Sequence, residues 1–170
     1  MSTGRPPDVG TATLDPLNRY RYRLTRTWDR TGPAITWIML NPSTADEAID
    51  DPTIRRVIGF SRAWGFGRLL VVNLFALRAT RPQDLPDSPA PVGPGNDDAI
   101  SEAVSVADML MVAWGNHGGI SNPDTGVRRD QEVLDALAVA SREIKCLGTT
   151  RKGQPRHPLY LPALSAPVVF

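Results

Sequence analysis

The chain has 170 residues, of which 41% are hydrophobic and 22% charged, and this suits one globular domain with a sizeable core. Its net charge of +1 excludes the strongly basic surface of many nucleic-acid-binding proteins, and a single cysteine, Cys146, excludes an internal disulfide and a cysteine-ligated cluster. No apolar stretch is long enough to cross a bilayer and the polar N-terminus has no apolar signal core, so we expect a cytoplasmic protein without a membrane partner.

The N-terminal part is predicted to contain a flexible arm and then two strands. Residues 1–15 have few apolar side chains and several turn formers, whereas residues 16–170 are predicted to form a single α/β domain. Residues 19–28 alternate strictly, which indicates a half-exposed strand. Its two faces carry Tyr20, Tyr22, Leu24 and Arg26 on one side and Arg19, Arg21, Arg23 and Thr25 on the other. Residues 34–40 are the next, buried strand, and the turn at 29–33 favours an antiparallel hairpin between the two.

The buried strand at 34–40 stops at Asn41-Pro42-Ser43, because proline cannot donate a hydrogen bond to a sheet and restricts the residue before it. The polar side chains of this loop are available to a helix start or to a ligand. Asp51 followed by Pro52 is a typical helix start, and the predicted helix ends at Gly65.

Strands and helices alternate along the rest of the chain. The predicted strands cover 68–75, 108–114 and 144–147, and the predicted helices run from 95 or 96 to 107 and from 126 to 140. A short helical turn is expected at 81–85, a proline-rich loop at 86–94 and irregular structure at 148–167. The alternation predicts an α/β fold of three layers, α/β/α, with a central, mainly parallel sheet.

Polar loops follow four of the predicted strands. They contain Asn41-Pro42-Ser43, Asn73, Gly115-Asn116-His117 and the run after Leu147 that includes His157. The carboxyl ends of parallel strands meet at one edge of a sheet, where ligands of α/β proteins bind, so these loops are predicted to form one pocket.

The sequence gives less support to a phosphate-binding motif, a metal site or a catalytic triad. The sequence contains no P-loop and no G-x-G-x-x-G after a strand, and two histidines and one cysteine give no zinc motif. Asp46, Glu47, Asp50 and Asp51 are candidates for a hard cation, but helix capping is the favoured interpretation, so we expect neither a metal nor a cofactor. A Ser-His-Asp triad stays open although no G-x-S-x-G elbow occurs.

Two loops each allow two alternative interpretations of their role. Gly115-Asn116-His117-Gly118-Gly119 is either an anion-binding nest or a flexible turn. His157 lies between Pro155 and Pro158, and is either a structural histidine or a member of the predicted pocket.

Several motifs resemble a bacterial family that is described only as a domain of unknown function. The resemblance runs from about Arg19 to Pro162. Its motifs are Met39-Leu40-Asn41-Pro42-Ser43-Thr44-Ala45-Asp46, Asp51-Pro52-Thr53-Ile54-Arg55-Arg56, Asn73-Leu74-Phe75-Ala76-Leu77-Arg78-Ala79-Thr80 and His157-Pro158-Leu159-Tyr160-Leu161.

The order of motifs is also similar to that of the uracil-DNA glycosylase superfamily. The matching segments are Leu40-Asn41-Pro42, Val71-Val72-Asn73, Met111-Val112-Ala113-Trp114-Gly115 and His157-Pro158-Leu159. The chain departs from that pattern in having Met39 for a glycine, Asn41 for the water-activating aspartate of the uracil-specific branch, and Leu159-Tyr160 for Ser-Pro. It also lacks the cysteines of the iron-sulfur branches.

This second resemblance implies a uracil-DNA glycosylase-like fold and hydrolysis of an N-glycosidic bond to a nucleobase. Asn41 would hold the attacking water, His157 would donate to the departing base, and Asn73 would read the base edge. An aromatic side chain, Phe75 or Tyr160, would stack on the base. The further candidates are Pro42, Ser43, Arg78, Asn116 and His117 for the substrate and Arg55, Arg56 or Arg78 for a phosphate.

Three hypotheses follow. The first is a glycosylase-like enzyme that needs no metal and acts on a nucleotide or on DNA, which would be single-stranded or have its base flipped out. The second is a non-catalytic nucleotide- or nucleic-acid-binding module on the same fold, which Asn41 favours because an amide activates water less than a carboxylate does. The third is an enzyme of another class that uses Asn41, Ser43 and His157 around an anion.

Overall fold

A computed structural model of the chain describes residues 8–170. These residues form one seven-stranded sheet with three α-helices and two short 3-10 helices. The strands are β1 (Val9–Leu14), β2 (Arg21–Thr27), β3 (Ala34–Met39), β4 (Arg68–Asn73), β5 (Met109–Val112), β6 (Lys145–Cys146) and β7 (Val168–Val169). The α-helices are α1 (Pro52–Ala63), α2 (Asn96–Ser105) and α3 (Arg129–Val139), and the 3-10 helices span Pro82–Asp87 and Gly115–His117.

Four parallel strands form the centre of the sheet. β4, β3, β5 and β6 lie side by side in that order, while β1 and β2 at one edge and β7 at the other are antiparallel to their neighbours. β3 is buried at all six positions, as expected of a parallel strand covered on both faces. The predicted α/β class with a central, mainly parallel sheet is therefore confirmed.

The predicted hairpin between the strands at 19–28 and 34–40 is wrong. β2 pairs with β1 and β4, and β4 lies between β2 and β3. The turn before β3 instead encloses Gly67, whose carbonyl accepts from the Trp28 and Asp29 amides and whose amide donates to the Pro33 carbonyl. Alternation along β2 identifies a strand, but it carries no information about which neighbour takes up the backbone hydrogen bonds.

The predicted flexible arm at 1–15 is wrong for residues 9–14, which form β1. This edge strand pairs with β2 in a register that places Val9 opposite Thr27. Backbone hydrogen bonds hold an edge strand whatever its side chains are, so low apolar content did not exclude one. The part of the arm at residues 1–7 lies outside the described residues.

The helices agree with their predicted starts and ends to within a few residues. Asp51 Oδ1 accepts from the Ile54 amide at 2.8 Å and caps α1, and Gly65, at φ +86°, follows the helix end. α3 begins at Arg129 rather than at 126, because Gly126 adopts φ +71°, outside the helical region. Val127, which precedes the helix, is 44% exposed.

Two apolar cores flank the sheet, one on each face. Trp37 belongs to the core that Val57 and Phe60 of α1 complete, and its ring lies 6.3 Å from that of Phe60. Its neighbour Ile38 faces the opposite core, which the side chains of α2 and α3 complete. Cys146 is buried in this second core. No helix among residues 8–170 is both long and apolar enough to cross a membrane.

The strand predicted to be half-exposed carries two buried arginines. Arg21 and Arg26 of β2 are only 2% and 6% exposed. Arg26 donates to Asp50 and to backbone carbonyls of the loop after β3, so it links β2 to the start of α1. The loop that follows β3 therefore packs against β2, although four of the seven β2 residues stay partly exposed.

The close approach at Gly67 gives a test of the strand connection. An added Cβ would overlap the backbone oxygen of Asp29, so we expect Gly67→Ala to lower the free energy of unfolding by about 1–3 kcal/mol, measured by urea denaturation. Gly59→Ala is the control, because a Cβ there meets nothing within 4 Å and alanine favours the middle of α1, giving a gain of about 0.5–1 kcal/mol. Equal stability of the two variants would contradict the contact.

Candidate functional site

The order of the parallel strands places a crevice between β3 and β5. The chain leaves β3 toward β4 on one side and leaves β5 toward β6 on the other, so the two following loops diverge. Ligands of open α/β sheets bind outside the carboxyl ends of the strands at such a point. A cavity of about 550 Å³ lies there, within the size range of small-molecule sites.

The cavity brings together most of the polar residues predicted from the strand ends. They are Asn41, Ser43, Asn73, Asn116, His117 and His157. The Ala79 amide donates to the Pro42 carbonyl at 3.0 Å and joins the loops after β3 and β4. The Gly115 amide donates to the Pro155 carbonyl at 2.9 Å and holds the His157 segment against the loop after β5. Asn41 and His157 therefore line one cavity although they are far apart in sequence.

Six residues named from sequence do not line this cavity. They are Pro42, Phe75, Tyr160, Arg55, Arg56 and Arg78. Phe75 is completely buried in the core beside α2 and α3, and Tyr160 is 93% exposed, so neither is placed to stack on a ligand in the cavity.

The three arginines point elsewhere for identifiable reasons. Arg55 donates to the Asp50 carbonyl, and the Arg56 guanidinium lies 5.0 Å from the centre of the Phe60 ring. Arg78 donates to the Ser43 carbonyl at 3.1 Å and lines a separate, shallower depression. None of the three lines the cavity, because sequence proximity to the loops did not determine side-chain direction; their role in binding a phosphate stays a prediction.

The amide of Asn41 is a structural link as well as a cavity residue. Its Nδ2 donates to the carbonyls of Pro42 at 3.0 Å and of Ala79 at 2.7 Å. Both donors of the amide are thus committed to the backbone, while Oδ1 makes no hydrogen bond within residues 8–170. A carboxylate has no N–H to donate, which gives a physical reason for asparagine at this position.

Asn73 ends β4 with an amide that has no protein partner. The residue is 1% exposed, and its buried Nδ2 has no hydrogen-bond acceptor within residues 8–170. Its backbone carbonyl accepts from Asn96 Nδ2 at 2.9 Å, which fixes the strand end. An unpaired buried amide costs about 1–3 kcal/mol, so this side chain, which lines the cavity, has an unused capacity to bind.

His157 is neutral at physiological pH. Burial lowers its pKa below the usual value, and the nearby Asp51 carboxylate opposes this shift only in part. The Leu159 amide donates to Nδ1 at 3.2 Å, so Nδ1 is the unprotonated nitrogen and Nε2 carries the hydrogen. A neutral imidazole with a fixed Nε2–H is a hydrogen-bond donor for a ligand oxygen.

Sequence reasoning did not name the other lining residues as parts of the site, and Arg21, Asp51 and Trp114 are the most informative of them. Asp51 caps α1 as predicted, and the first turn of that helix also lines the cavity. Trp114, rather than Phe75 or Tyr160, is among the lining residues. The alternation of β2 gives no signal that Arg21 reaches a site at the ends of other strands.

Of the acidic residues near α1, Asp51 caps the helix, as the sequence favoured, whereas Asp50 pairs with Arg26. Asp46 accepts from the amides of Ala48 and Ile49, which lowers its pKa. No group of three or more His, Cys, Asp or Glu side chains within residues 8–170 is arranged to hold a metal ion.

A family model described as "Protein of unknown function (DUF1643)" matches residues 21–159. This range covers most of the chain, so the chain belongs to that family. No curated protein and no solved structure gives a significant match.

Replacing Asn41 by aspartate tests the link between the loops. The carboxylate would face the Pro42 and Ala79 carbonyls without a donor, so we expect Asn41→Asp to lower the free energy of unfolding by roughly 1–3 kcal/mol. Asn116→Asp is the matched control, because Asn116 Oδ1 accepts from the Thr150 hydroxyl and a carboxylate keeps that bond; we expect a change within about 0.5 kcal/mol. A similar decrease in the free energy of unfolding of both variants would disprove the assigned role of Asn41 Nδ2.

The protonation of His157 can be followed by NMR titration of its ring C–H signals. We expect a midpoint below the value of about 6.5 that an unfolded histidine shows. The unfolded chain then binds this proton at higher pH than the folded protein, so stability contributed by the neutral ring is present above about pH 6.5 and falls as the pH drops toward the folded pKa. His157→Gln identifies the signal and should remove this part of the pH dependence, whereas a midpoint above 6.5 would contradict burial of the neutral ring.

Proposed function

We propose that this member of the DUF1643 family binds a nucleobase-containing molecule in the cavity and hydrolyses its N-glycosidic bond. The observation that carries the proposal is the buried, unpaired amide of Asn73 at the cavity wall. A primary amide presents a donor and an acceptor side by side, which complements the edge of a nucleobase. A base paired with Asn73 would offset the cost of leaving that amide without a partner.

We further propose that the fold is of the three-layer, uracil-DNA glycosylase-like kind. The order of the four short motifs supports this relationship, and so does the position of three of them at the carboxyl ends of β3, β4 and β5. Apolar cores on both faces of the sheet are consistent with α/β/α layers.

His157 would act on the departing base. When the bond between C1′ and the base nitrogen breaks, its electron pair leaves with the base, and negative charge spreads to the carbonyl oxygens of the base. The neutral Nε2–H of His157 would donate to such an oxygen and stabilise the charge as it develops. The donor needs no proton from solvent, since burial keeps the ring neutral.

Asn41 would position the water that attacks C1′. Because Nδ2 is committed to two backbone carbonyls, Oδ1 is the atom left to accept a hydrogen bond from water. The water oxygen forms the new bond to C1′, and one water proton must finally reach the base nitrogen.

Asp51 supplies a carboxylate that can receive this proton first. Among the described residues that line the cavity, Asp51 has the only carboxylate. One of its oxygens caps α1 through the Ile54 amide, while the other makes no hydrogen bond within residues 8–170. The amide of Asn41 cannot itself act as a base, and in the proposed reaction the free oxygen of Asp51 would take that role.

Non-catalytic binding of the same ligand is the second candidate. The committed amide of Asn41 favours it, because a group that holds two loops together has a sufficient role without catalysis. Both candidates place the base against Asn73, and base release distinguishes them.

The test is chromatographic detection of free base after incubation with nucleoside 5′-monophosphates and with single- and double-stranded DNA that contains uracil, mismatched or modified bases. We expect release from at least one substrate, and a roughly 10²–10³-fold slower release by His157→Gln, because loss of one preorganised donor has that effect. Asn73→Ala should weaken binding of the same substrate.

Tyr160→Asn is the control for these variants. Tyr160 is exposed outside the cavity, and asparagine tolerates its backbone conformation at φ +70°. The activity of the Tyr160→Asn variant should therefore equal that of the native chain. Binding without base release would favour the non-catalytic module. Unchanged binding and activity in both the His157 and Asn73 variants would disprove the site.

A further inference from the structure

Three arginine side chains are almost completely buried, and two of them are paired with carboxylates. Arg26 is 6% exposed and bonds Asp50 through Nε at 2.9 Å and Nη2 at 2.8 Å. Its other donors reach backbone carbonyls of the same region. Arg129 is 2% exposed and bonds Glu132 at 3.0 Å, Asp97 at 2.5 Å and the Leu74 carbonyl at 2.8 Å. Every nitrogen of these two guanidinium groups has an acceptor.

Arg21 is equally buried but is not paired. It is 2% exposed, and its side chain makes one hydrogen bond, from Nη1 to the Ala45 carbonyl at 2.8 Å. Its Nε is buried without an acceptor. Within residues 8–170, Nη2 makes no hydrogen bond and no carboxylate oxygen lies within 4.0 Å for an ion pair. A buried charge without a partner is costly, so this site lacks an anion that the described residues do not provide.

The guanidinium of Arg21 keeps its charge in these surroundings. Burial lowers its pKa to about 10, with Asp51 opposing the shift and Arg78 and Arg26 adding to it. The group is therefore a cation at neutral pH, and the two neighbouring arginines make its surroundings more attractive to an anion. Asp51 acts in the opposite sense, but it also caps α1 and is held by the Ile54 amide.

Arg21 lines the same cavity as Asn41, Asn73 and His157. The first turn of α1 borders that cavity too, and the partial positive charge of a helix N-terminus favours an anion. We propose that Arg21 binds the phosphate group of the ligand, and that the ligand is a free mononucleotide rather than a nucleoside, a base or a nucleic-acid strand. This inference rests on the proposed nucleobase site, which it extends.

Burial and charge favour a mononucleotide over a polynucleotide. Arg21 is enclosed within the cavity, whereas a strand of nucleic acid is bound along an exposed groove whose basic residues follow its backbone. A cavity of about 550 Å³ has the size of a single small ligand. A guanidinium with two adjacent free donors matches the oxygens of a phosphate in a bidentate arrangement.

Calorimetric titration tests the proposal, with the four common nucleoside 5′-monophosphates, the matching nucleosides, inorganic phosphate and a single-stranded oligonucleotide as ligands. We expect at least one monophosphate to bind about 10- to 100-fold more tightly than its nucleoside, the contribution of charge-assisted hydrogen bonds to a phosphate. Arg21→Gln should remove this difference, while Arg30→Gln, at an exposed arginine outside the cavity, should retain it.

A second comparison separates ligand binding from a structural role. Arg21→Met removes an unpaired charge, whereas Arg26→Met leaves Asp50 without its partner, so we expect Arg26→Met to have the lower melting temperature. Inorganic phosphate at millimolar concentration should raise the melting temperature of the native chain and of Arg30→Gln, but not that of Arg21→Met. Equal stabilisation of all three by phosphate would overturn the assignment.

The outcomes also distinguish this inference from the proposed reaction. Arg21-dependent binding of a monophosphate without release of base supports the phosphate site and contradicts hydrolysis. Release of base from nucleosides and monophosphates at equal rates, unchanged in Arg21→Gln, supports hydrolysis and overturns the phosphate site. Binding of the oligonucleotide but of no mononucleotide would also overturn it.

Discussion

Strand β3 is hydrogen-bonded on both sides to parallel strands, β4 and β5, and is buried at all six of its positions. Parallel pairing brings the carboxyl ends of the three strands to one edge of the sheet, and the loops that follow them diverge from the gap between β3 and β5. The cavity exists because of this divergence. Its walls combine these loops with residues of β2, β3 and β4 and the first turn of α1, and apolar cores lie on both faces of the sheet.

The cavity contains polar groups that the protein leaves without partners. The Asn73 amide and the Arg21 guanidinium are each buried and incompletely bonded, although elsewhere the same chain bonds Arg26 and Arg129 at every nitrogen. Arg23, Arg56 and Asn96 also have a buried polar atom without a partner, but only Asn73 and Arg21 line the cavity, where a ligand can complete them. The amide would complement a base edge and the guanidinium a phosphate, which is why a nucleotide is the ligand we propose.

The residues of the proposed reaction are held by backbone contacts that also define their chemical state. The Leu159 amide selects the tautomer of His157, and the carbonyls of Pro42 and Ala79 take both donors of the Asn41 amide and leave its Oδ1 unbonded within residues 8–170. Asp51 joins these groups because the helix that it caps begins beside the loop after β3. A site of this construction depends on where each loop is fixed to its neighbours as much as on which side chains it carries.

The sequence by itself determined the local elements and the loops from which the cavity is built. The apolar runs identified β3, β4 and β5, Asp51-Pro52 identified the start of α1, and the polar residues at the strand ends predicted Asn41, Asn73 and His157 in one cavity. These features depend on residues close in sequence, or on the general property that parallel strands end at one edge. Only the tertiary structure decided the partner of β2 and the pairing of β1 and of the two-residue strand β7. The same holds for the burial of Arg21 and for the directions of Phe75 and of the three arginines first assigned to a phosphate. Those features depend on which distant segments cover a strand, and the alternation or composition of a single segment contains no information about that.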